Sequence, residues 1–317
     1  MEDTMSGPFV PFPSENELYS KAWAKDIFKG KVVFCTGGAG TICSGQVRAL
    51  VSLGADAAIV GRREGNTRNV AAEIAKVRPG AKVIGFGCDV RDADALVAVV
   101  AETVKQLGRI DFLICGAAGN FLSTVEGLST NAFKTVMDID LLGSFNTVKA
   151  CLPELQKTKG RVIFVSATFH YTGAALQSHV AAAKAGIDAL SHSLAIELGP
   201  SGITSNIIAP GAIANTEGMD RLTARTGVPE DLQKNPARLN PLGRWGTVSE
   251  VADATIFLFS DAGRYINGVS LVVDGGNWRT SNSLANFLYP TIFLPGAGKN
   301  FDFGTLKGAK KAKESKL

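Results

Sequence analysis

A chain of 317 residues with 45% hydrophobic and 20% charged residues has enough apolar material for one large globular core. No apolar run is long enough to span a membrane. The net charge of +4 sits entirely in the terminal stretch TLKGAKKAKESKL, so the body is neutral, which argues against a nucleic-acid-binding face and makes the lysine run a solvated tail.

Residues 1–30 read as an extension lying on the domain that follows. Their opening, MEDTMSGPFVPFPSENELY, is acidic and proline-bearing and lacks the apolar stretch of a secretory signal. Lys31–Thr36 is a short buried strand, Gly37–Gly40 a glycine turn, and a helix is expected from about Ile42 to Leu53. A strand at Asp56–Gly61, a helix around Asn66–Val77 and a strand at Lys82–Gly87 complete a half-unit. Beyond it are expected a helix at Ala93–Leu107, a strand at Ile110–Cys115, one long helix at Asn131–Gln156 and a strand at Gly160–Ser166. An alanine-rich helix starts at Ser178. A strand at Thr204–Ala209, a loop-rich stretch at Gly211–Gly246, a helix at Val248–Phe259 and a strand at Val269–Val273 close the pattern. Continuous apolar strands alternating with helices predict a parallel sheet covered on both faces, an α/β single domain over 31–276. Residues 277–317 form a C-terminal extension, in which Leu284–Leu294 is apolar and interrupted by Pro290.

Cys35, Cys43, Cys88, Cys115 and Cys151 form no CxxC pair and no zinc spacing, so no metal site is expected and buried free thiols in a reducing compartment are.

The strand, glycine turn and helix at the start make a phosphate-binding unit of the Rossmann, doubly wound kind. Gly37, Gly38, Ala39, Gly40, Thr41 and Ile42 bring backbone and a helix N-terminus to a pyrophosphate. After the second strand stand Arg62 and Arg63 rather than a carboxylate, which favours the 2′-phosphate of NADPH. Asp89 and Val90 end the third strand, where the carboxylate suits an adenine amino group. Ala117 and Gly119 belong to a small-residue run against which a cofactor can lie. Lys184 and Asp188 are four apart on the alanine-rich helix and share a face. A lysine on such a face needs a reason, because burying an unpaired ammonium is costly.

Thr36-Gly37-Gly38, the run before Gly119, Ser166 at a strand end, Lys184 and Pro210-Gly211 together resemble the short-chain dehydrogenase/reductase family over roughly residues 29–276. AAGNF (117–121), NAFKTVMDIDLLGSFN (131–146), AAAKAGIDAL (181–190), APGAIANTEG (209–218) and VVDGGNW (272–278) are most similar to its peroxisomal dienoyl-CoA reductase branch. Thr41 and Cys43 stand where later glycines of the turn belong, Asp140 where an asparagine is usual, and Val180 where the family places its acid tyrosine. The last two departures suit that branch.

The resemblance implies NADPH-dependent reduction of 2,4-dienoyl-CoA to trans-3-enoyl-CoA in the β-oxidation of unsaturated fatty acids. Lys184, Asp188, Asp140 and Ser166 are the implied catalytic set, with Asp188 orienting a water because an ionised aspartate beside an ammonium is a poor acid. Pro210, Gly211, Ala212, Ile213 and Thr216 are expected to wrap the nicotinamide end. Arg62, Arg91, Phe121, Ser129, Asn131 and Arg221 are implied CoA-thioester contacts, and Phe169 and His170 the pocket lining. His179 reads as a packed histidine. Ser315-Lys316-Leu317 matches a peroxisomal import address read by a receptor. The family also implies a homo-oligomer, expected to be a tetramer, through the helices at 131–156 and 178–198. A reductase of another acyl-CoA and a non-catalytic NADPH-binding scaffold are the competing readings.

Overall fold

A computed structural model describes residues 18–216 and 240–280. Arg221, the apolar run at 284–294, the lysine-rich tail and the terminal tripeptide lie outside the described residues.

Seven parallel strands run β1 Val32–Thr36, β2 Asp56–Gly61, β3 Val83–Gly87, β4 Phe112–Cys115, β5 Arg161–Val165, β6 Thr204–Pro210 and β7 Ser270–Val273. Their spatial order is β3-β2-β1-β4-β5-β6-β7. The central strands are apolar on both faces, and β1 and β4 are buried along their whole length, which is why they read as unbroken apolar runs. The chain leaves β1 for β2 on one side and later returns to β4 on the other, pairing Thr36 with Val60 and with Cys115. That reversal of strand order opens a crevice at the carboxyl ends of β1 and β4.

Helices α1 Thr41–Ser52, α2 Glu64–Ala75 and α3 Ala93–Leu107 follow the first three strands. Both ends of α3 match the expectation because its caps are chemical: the Asp92 carboxylate accepts from the Ala95 amide, and Gly108 closes the helix at φ 86°. The long helix expected over 131–156 is corrected. It is α4 Thr130–Met137, a π-helical segment Asp138–Leu142 and α5 Gly143–Thr158. The widened turn lies against the third-strand end, where a Cβ on Gly143 would come within 2.4 Å of Val90. Such bulges concentrate at functional positions, and this one carries Asp140. The one-turn helix α6 Phe169–Thr172, the long α7 Ser178–Leu198 and α8 Val248–Phe259 complete the layers.

Two buried clusters cover the two sheet faces. One joins α1 and α8 through Val47, Leu50, Val251 and Ile256, and the other joins α3, α5 and α7 through Leu96, Leu155 and Ile187. Phe28, ahead of the first strand, closes the first cluster edge-on to Phe112, 5.4 Å between ring centres. All five cysteines are free and buried.

Candidate active site

The crevice holds a cleft of ≈ 650 Å³ lined by Gly37, Ala39 and Gly40, by Arg62 and Arg63, and by Asp89, Val90, Ala117 and Ile139. Gly37 has φ +67° and a Cβ there would lie 2.4 Å from the Gly116 carbonyl, so the turn admits only glycine. No side chain caps the start of α1, which leaves its first-turn amides for an anion. Arg62 and Arg63 are exposed at the end of β2 and, among the described residues, neither is paired with a carboxylate. This is a cradle that fits a dinucleotide pyrophosphate.

Asp89 is not free for an adenine amine alone. Its oxygens accept from Arg91 Nε at 3.0 Å and Nη2 at 2.6 Å, and the Arg91 hydrogen bond holds its carboxyl below the usual value against the opposing effect of burial. Arg91 is thus paired with Asp89 at the edge of the cleft. Cys43 is buried, and its sulfur takes the space that a Cβ at Gly116 would fill, at 2.2 Å.

Beyond the cleft the π segment, β5 and α7 meet. Lys184 is buried, donates to the Val165 carbonyl at 3.0 Å and stands 3.3 Å from Asp140 Oδ2, an ion pair rather than an aligned hydrogen bond. Asp140 is fully buried, and its Oδ1 accepts from the Gly119 amide at 2.7 Å. Burial pushes its carboxyl up; the Lys184 charge and the Gly119 amide only partly offset this. The ammonium therefore pairs across to Asp140 and not along the helix to Asp188.

Asp188 has other partners. Its Oδ2 lies 2.9 Å from His170 Nε2 and 2.7 Å from the Tyr171 hydroxyl. Burial alone would raise this carboxyl, but the hydrogen bond from His170, the nearby Ser166 hydroxyl and the hydrogen bond from Tyr171 hold it below the usual range. Ser166 Oγ and Asp188 Oδ1 are both buried and neither makes a hydrogen bond of normal geometry. His170 is thus set against Asp188. Tyr171 was invisible in the sequence: it lies outside every motif, and the spacing to Asp188 carries no periodic signal. Val180, at the position of the family's acid tyrosine, is buried in an apolar cluster with Val136 and Ala183, against which Phe121, Met137 and Phe169 pack.

His179 is fully buried, stacks on Phe121 at 4.2 Å, and has no partner of normal geometry at either ring nitrogen. Burial lowers its basicity. Ser129 caps α4, accepting from the Ala132 amide at 3.2 Å, and Asn131 is exposed beside it. Past β6, the Gly211 amide donates to the Val273 carbonyl at 3.0 Å and Ile213 pairs with Gly246, while Thr216 Oγ1 donates to the Ile213 carbonyl at 2.8 Å. These contacts fold the Pro210–Thr216 loop back toward the sheet's carboxyl edge. Among the described residues no group of acidic, histidine and cysteine side chains is arranged to hold a metal, and no helix is long and apolar enough to cross a membrane.

The sequence family described as enoyl-(acyl carrier protein) reductase matches residues 37–277. The chain is 50% identical over 295 residues to the peroxisomal 2,4-dienoyl-CoA reductase SPS19, (3E)-enoyl-CoA-producing, of Saccharomyces cerevisiae, covering 92% of this chain and 96% of that protein. It is 40% identical to the peroxisomal 2,4-dienoyl-CoA reductase of Danio rerio, covering 83% and 86%. Among solved structures, a short chain dehydrogenase from Bacillus anthracis superposes with a TM-score of 0.71 at 35% identity, covering 79% of this chain and 97% of that one. NAD+-bound xylitol dehydrogenase superposes with a TM-score of 0.74 at 25% identity, covering 78% and 99%.

Proposed function

Because the chain belongs to the short-chain dehydrogenase/reductase family, we propose that it reduces 2,4-dienoyl-CoA to trans-3-enoyl-CoA in peroxisomal β-oxidation of unsaturated fatty acids. The observation that carries this reading is the pairing of a buried Val180 with an ionised Asp188 on the same helix. A ketone reductase needs a hydroxyl acid at that place to complete an alcohol. A conjugated thioester instead forms a delocalised enolate and needs a proton only at carbon.

The cofactor is a nicotinamide dinucleotide, and NADPH is the form that Arg62 and Arg63 favour, since no carboxylate ends β2 to take a ribose hydroxyl. When bound, the nicotinamide supplies hydride to C5 of the substrate. Charge then spreads through the dienolate to the thioester oxygen. Lys184, fixed by the Val165 carbonyl and Asp140, holds the nicotinamide ribose and adds positive potential on the side where that charge develops. Ser166 Oγ, buried beside the Asp188 carboxylate and making no hydrogen bond of normal geometry, is placed to donate to the thioester oxygen or to water. Asp188 is held ionised, so it is not itself the acid. Its Oδ1, outside the His170 and Tyr171 contacts, orients a water that gives a proton to C2 and regains one from solvent, and the sum of hydride and proton yields the 3-enoyl thioester. A general acid of this kind is worth on the order of 10²–10⁴ in rate.

Phe121 and Phe169, resting on the Val136–Val180–Ala183 cluster, offer apolar surface to the acyl chain. Arg62, Arg91, Ser129, Asn131 and Arg221 complete the proposed thioester contacts. A homotetramer belongs to the same reading, supported by the exposed apolar side chains of Phe145 on α5 and Ile196 on α7. Ser315-Lys316-Leu317 is the segment we assign to an import receptor.

NADPH oxidation with hexa-2,4-dienoyl-CoA tests the reading against 3-ketoacyl-CoA, 2-enoyl-CoA and NADH. Turnover is expected with the dienoyl thioester and NADPH. Asp188→Ala and Asp188→Asn should both lose turnover by about 10²-fold or more while keeping NADPH affinity. Cofactor binding without turnover of any thioester sinks the enzyme reading, and full turnover in both variants sinks the role of Asp188.

A further inference from the structure

We propose that His170 and Tyr171 are positioning residues: together they clamp one oxygen of Asp188 and so aim the other at the reacting carbon. The inference rests on the role given to Asp188 above.

Both donors reach the same atom. His170 Nε2 and the Tyr171 hydroxyl converge on Asp188 Oδ2 at 2.9 and 2.7 Å, while Oδ1 makes no hydrogen bond of normal geometry and the Ser166 hydroxyl stands near the carboxylate. An aspartate held at one oxygen by a single donor still swings about its terminal torsion, which is broad and roughly two-fold. Two donors from different directions remove that freedom. The clamp is also dry: the His170 and Asp188 side chains are 6% and 8% exposed. The two rings brace each other, with centres 4.0 Å apart, and Tyr171 packs in turn on Trp278 at 5.3 Å. The site is therefore tied to the turn after β7, whose Arg279 lies over the Trp278 ring.

Tyr171 does not replace the acid that Val180 lacks. Burial, aided by the Asp188 charge and against a contact with Ser270, pushes its hydroxyl up to about 12, so it stays protonated and only donates. The charged and titratable groups around the clamp are Lys184 one turn back on α7, its partner Asp140 on the π segment, and Arg279 beyond Trp278. Ser166 faces Asp188 from the end of β5. Because the two donors favour the ionised carboxylate, removing either must let Asp188 take up a proton at higher pH.

The test uses the full-length enzyme with NADPH and hexa-2,4-dienoyl-CoA, and compares Tyr171→Phe, His170→Ala and His170→Gln with Asp188→Asn. We expect kcat to fall on the order of tenfold to a hundredfold in Tyr171→Phe and His170→Ala, a cost typical of a misaimed catalytic group. KM and NADPH affinity should stay within about twofold, and the acidic limb of the kcat–pH profile should move to higher pH. His170→Gln, which keeps an N–H donor, should recover part of the loss. Unchanged kcat and pH profile in Tyr171→Phe and His170→Ala, with Asp188→Asn inactive, overturns the clamp and leaves the proposed reaction standing. A raised KM at unchanged kcat assigns the pair to the pocket wall and also overturns it. Full turnover in Asp188→Asn removes both the clamp and the role of Asp188. Circular dichroism identifies any variant that fails to fold, and each donor is read independently of the other.

Discussion

Cys43 and Gly116 are best understood as one feature. Within the family pattern the later positions of the phosphate turn are glycines, and a cysteine there reads from sequence alone as a threat to cofactor binding. The structure locates the compensation 73 positions away in the chain, at the end of β4, where Gly116 has no Cβ and the thiol fills the space. The pair keeps the packing density of the floor under the cleft. Returning a methyl to that floor creates a 2.2 Å contact with Cys43 Sγ, and a Cβ there also approaches the Thr36 carbonyl at 3.2 Å. Gly116→Ala should therefore destabilise by about 1–3 kcal/mol, the range for overpacking a dense core. Adding Cys43→Gly should recover more than half of that loss, a coupling that urea unfolding of the two single variants and the double variant measures directly. Additive effects would show that the two positions do not share this space.

At the level of elements, legibility followed chemistry. Helix α3 could be read to the residue because an aspartate and a glycine mark its ends, and α8 likewise because Thr247 and Glu250 form a reciprocal cap. The π segment was not legible. One extra residue in a turn leaves the apolar period of Asn131–Gln156 almost intact, so the sequence reads as one helix although Asp140 depends on the break. The one-turn α6 was equally hidden, since four residues carry no period, and with it went the partners of Asp188. The Lys184–Asp188 spacing correctly suggested a shared face, but which carboxylate the ammonium meets was decided by tertiary packing. The α8 cap gives a prediction of its own. Glu250 accepts from the Thr247 amide at 2.8 Å and from both Arg244 Nη1 at 2.9 Å and Nη2 at 2.6 Å, so it joins the loop to the helix. Thr247→Ala should cost about 1 kcal/mol, as a lost cap does, and Glu250→Gln about 1.5–3 kcal/mol, as a lost charged hydrogen bond does. Equal losses in chemical denaturation would mean that the Arg244 contacts contribute nothing.

For the molecule as a whole, the acid side of the stability curve should fall in two stages, and the upper stage is assigned to one residue. Asp188 and Glu250 have folded carboxyls below their ordinary values of 3.8 and 4.5. The unfolded chain takes up their protons first, so their stabilisation is complete above those values and is lost as pH falls through the lower folded ones. Asp140, raised by burial, works in the opposite sense: the folded state takes up its proton above the ordinary value of 3.8, so it adds stability as pH falls ahead of this stage. His179 acts earlier. Its basicity in the folded protein is lowered from 6.5 by burial, so below about pH 6.5 the unfolded state gains a proton that the folded state refuses, and stability falls as pH falls. The Phe121 backbone offsets this only in part, because the ring is fully buried against Phe121 and neither ring nitrogen makes a hydrogen bond of normal geometry. Leucine is close to histidine in volume and cannot titrate. In thermal unfolding between pH 7 and about pH 5, the native chain should lose more melting temperature than His179→Leu. Below that window the two curves should fall in parallel through the carboxylate stage. A native curve no steeper than that of His179→Leu across the upper window would mean that His179 accepts its proton in the folded state, with the Phe121 backbone outweighing the cost of burial.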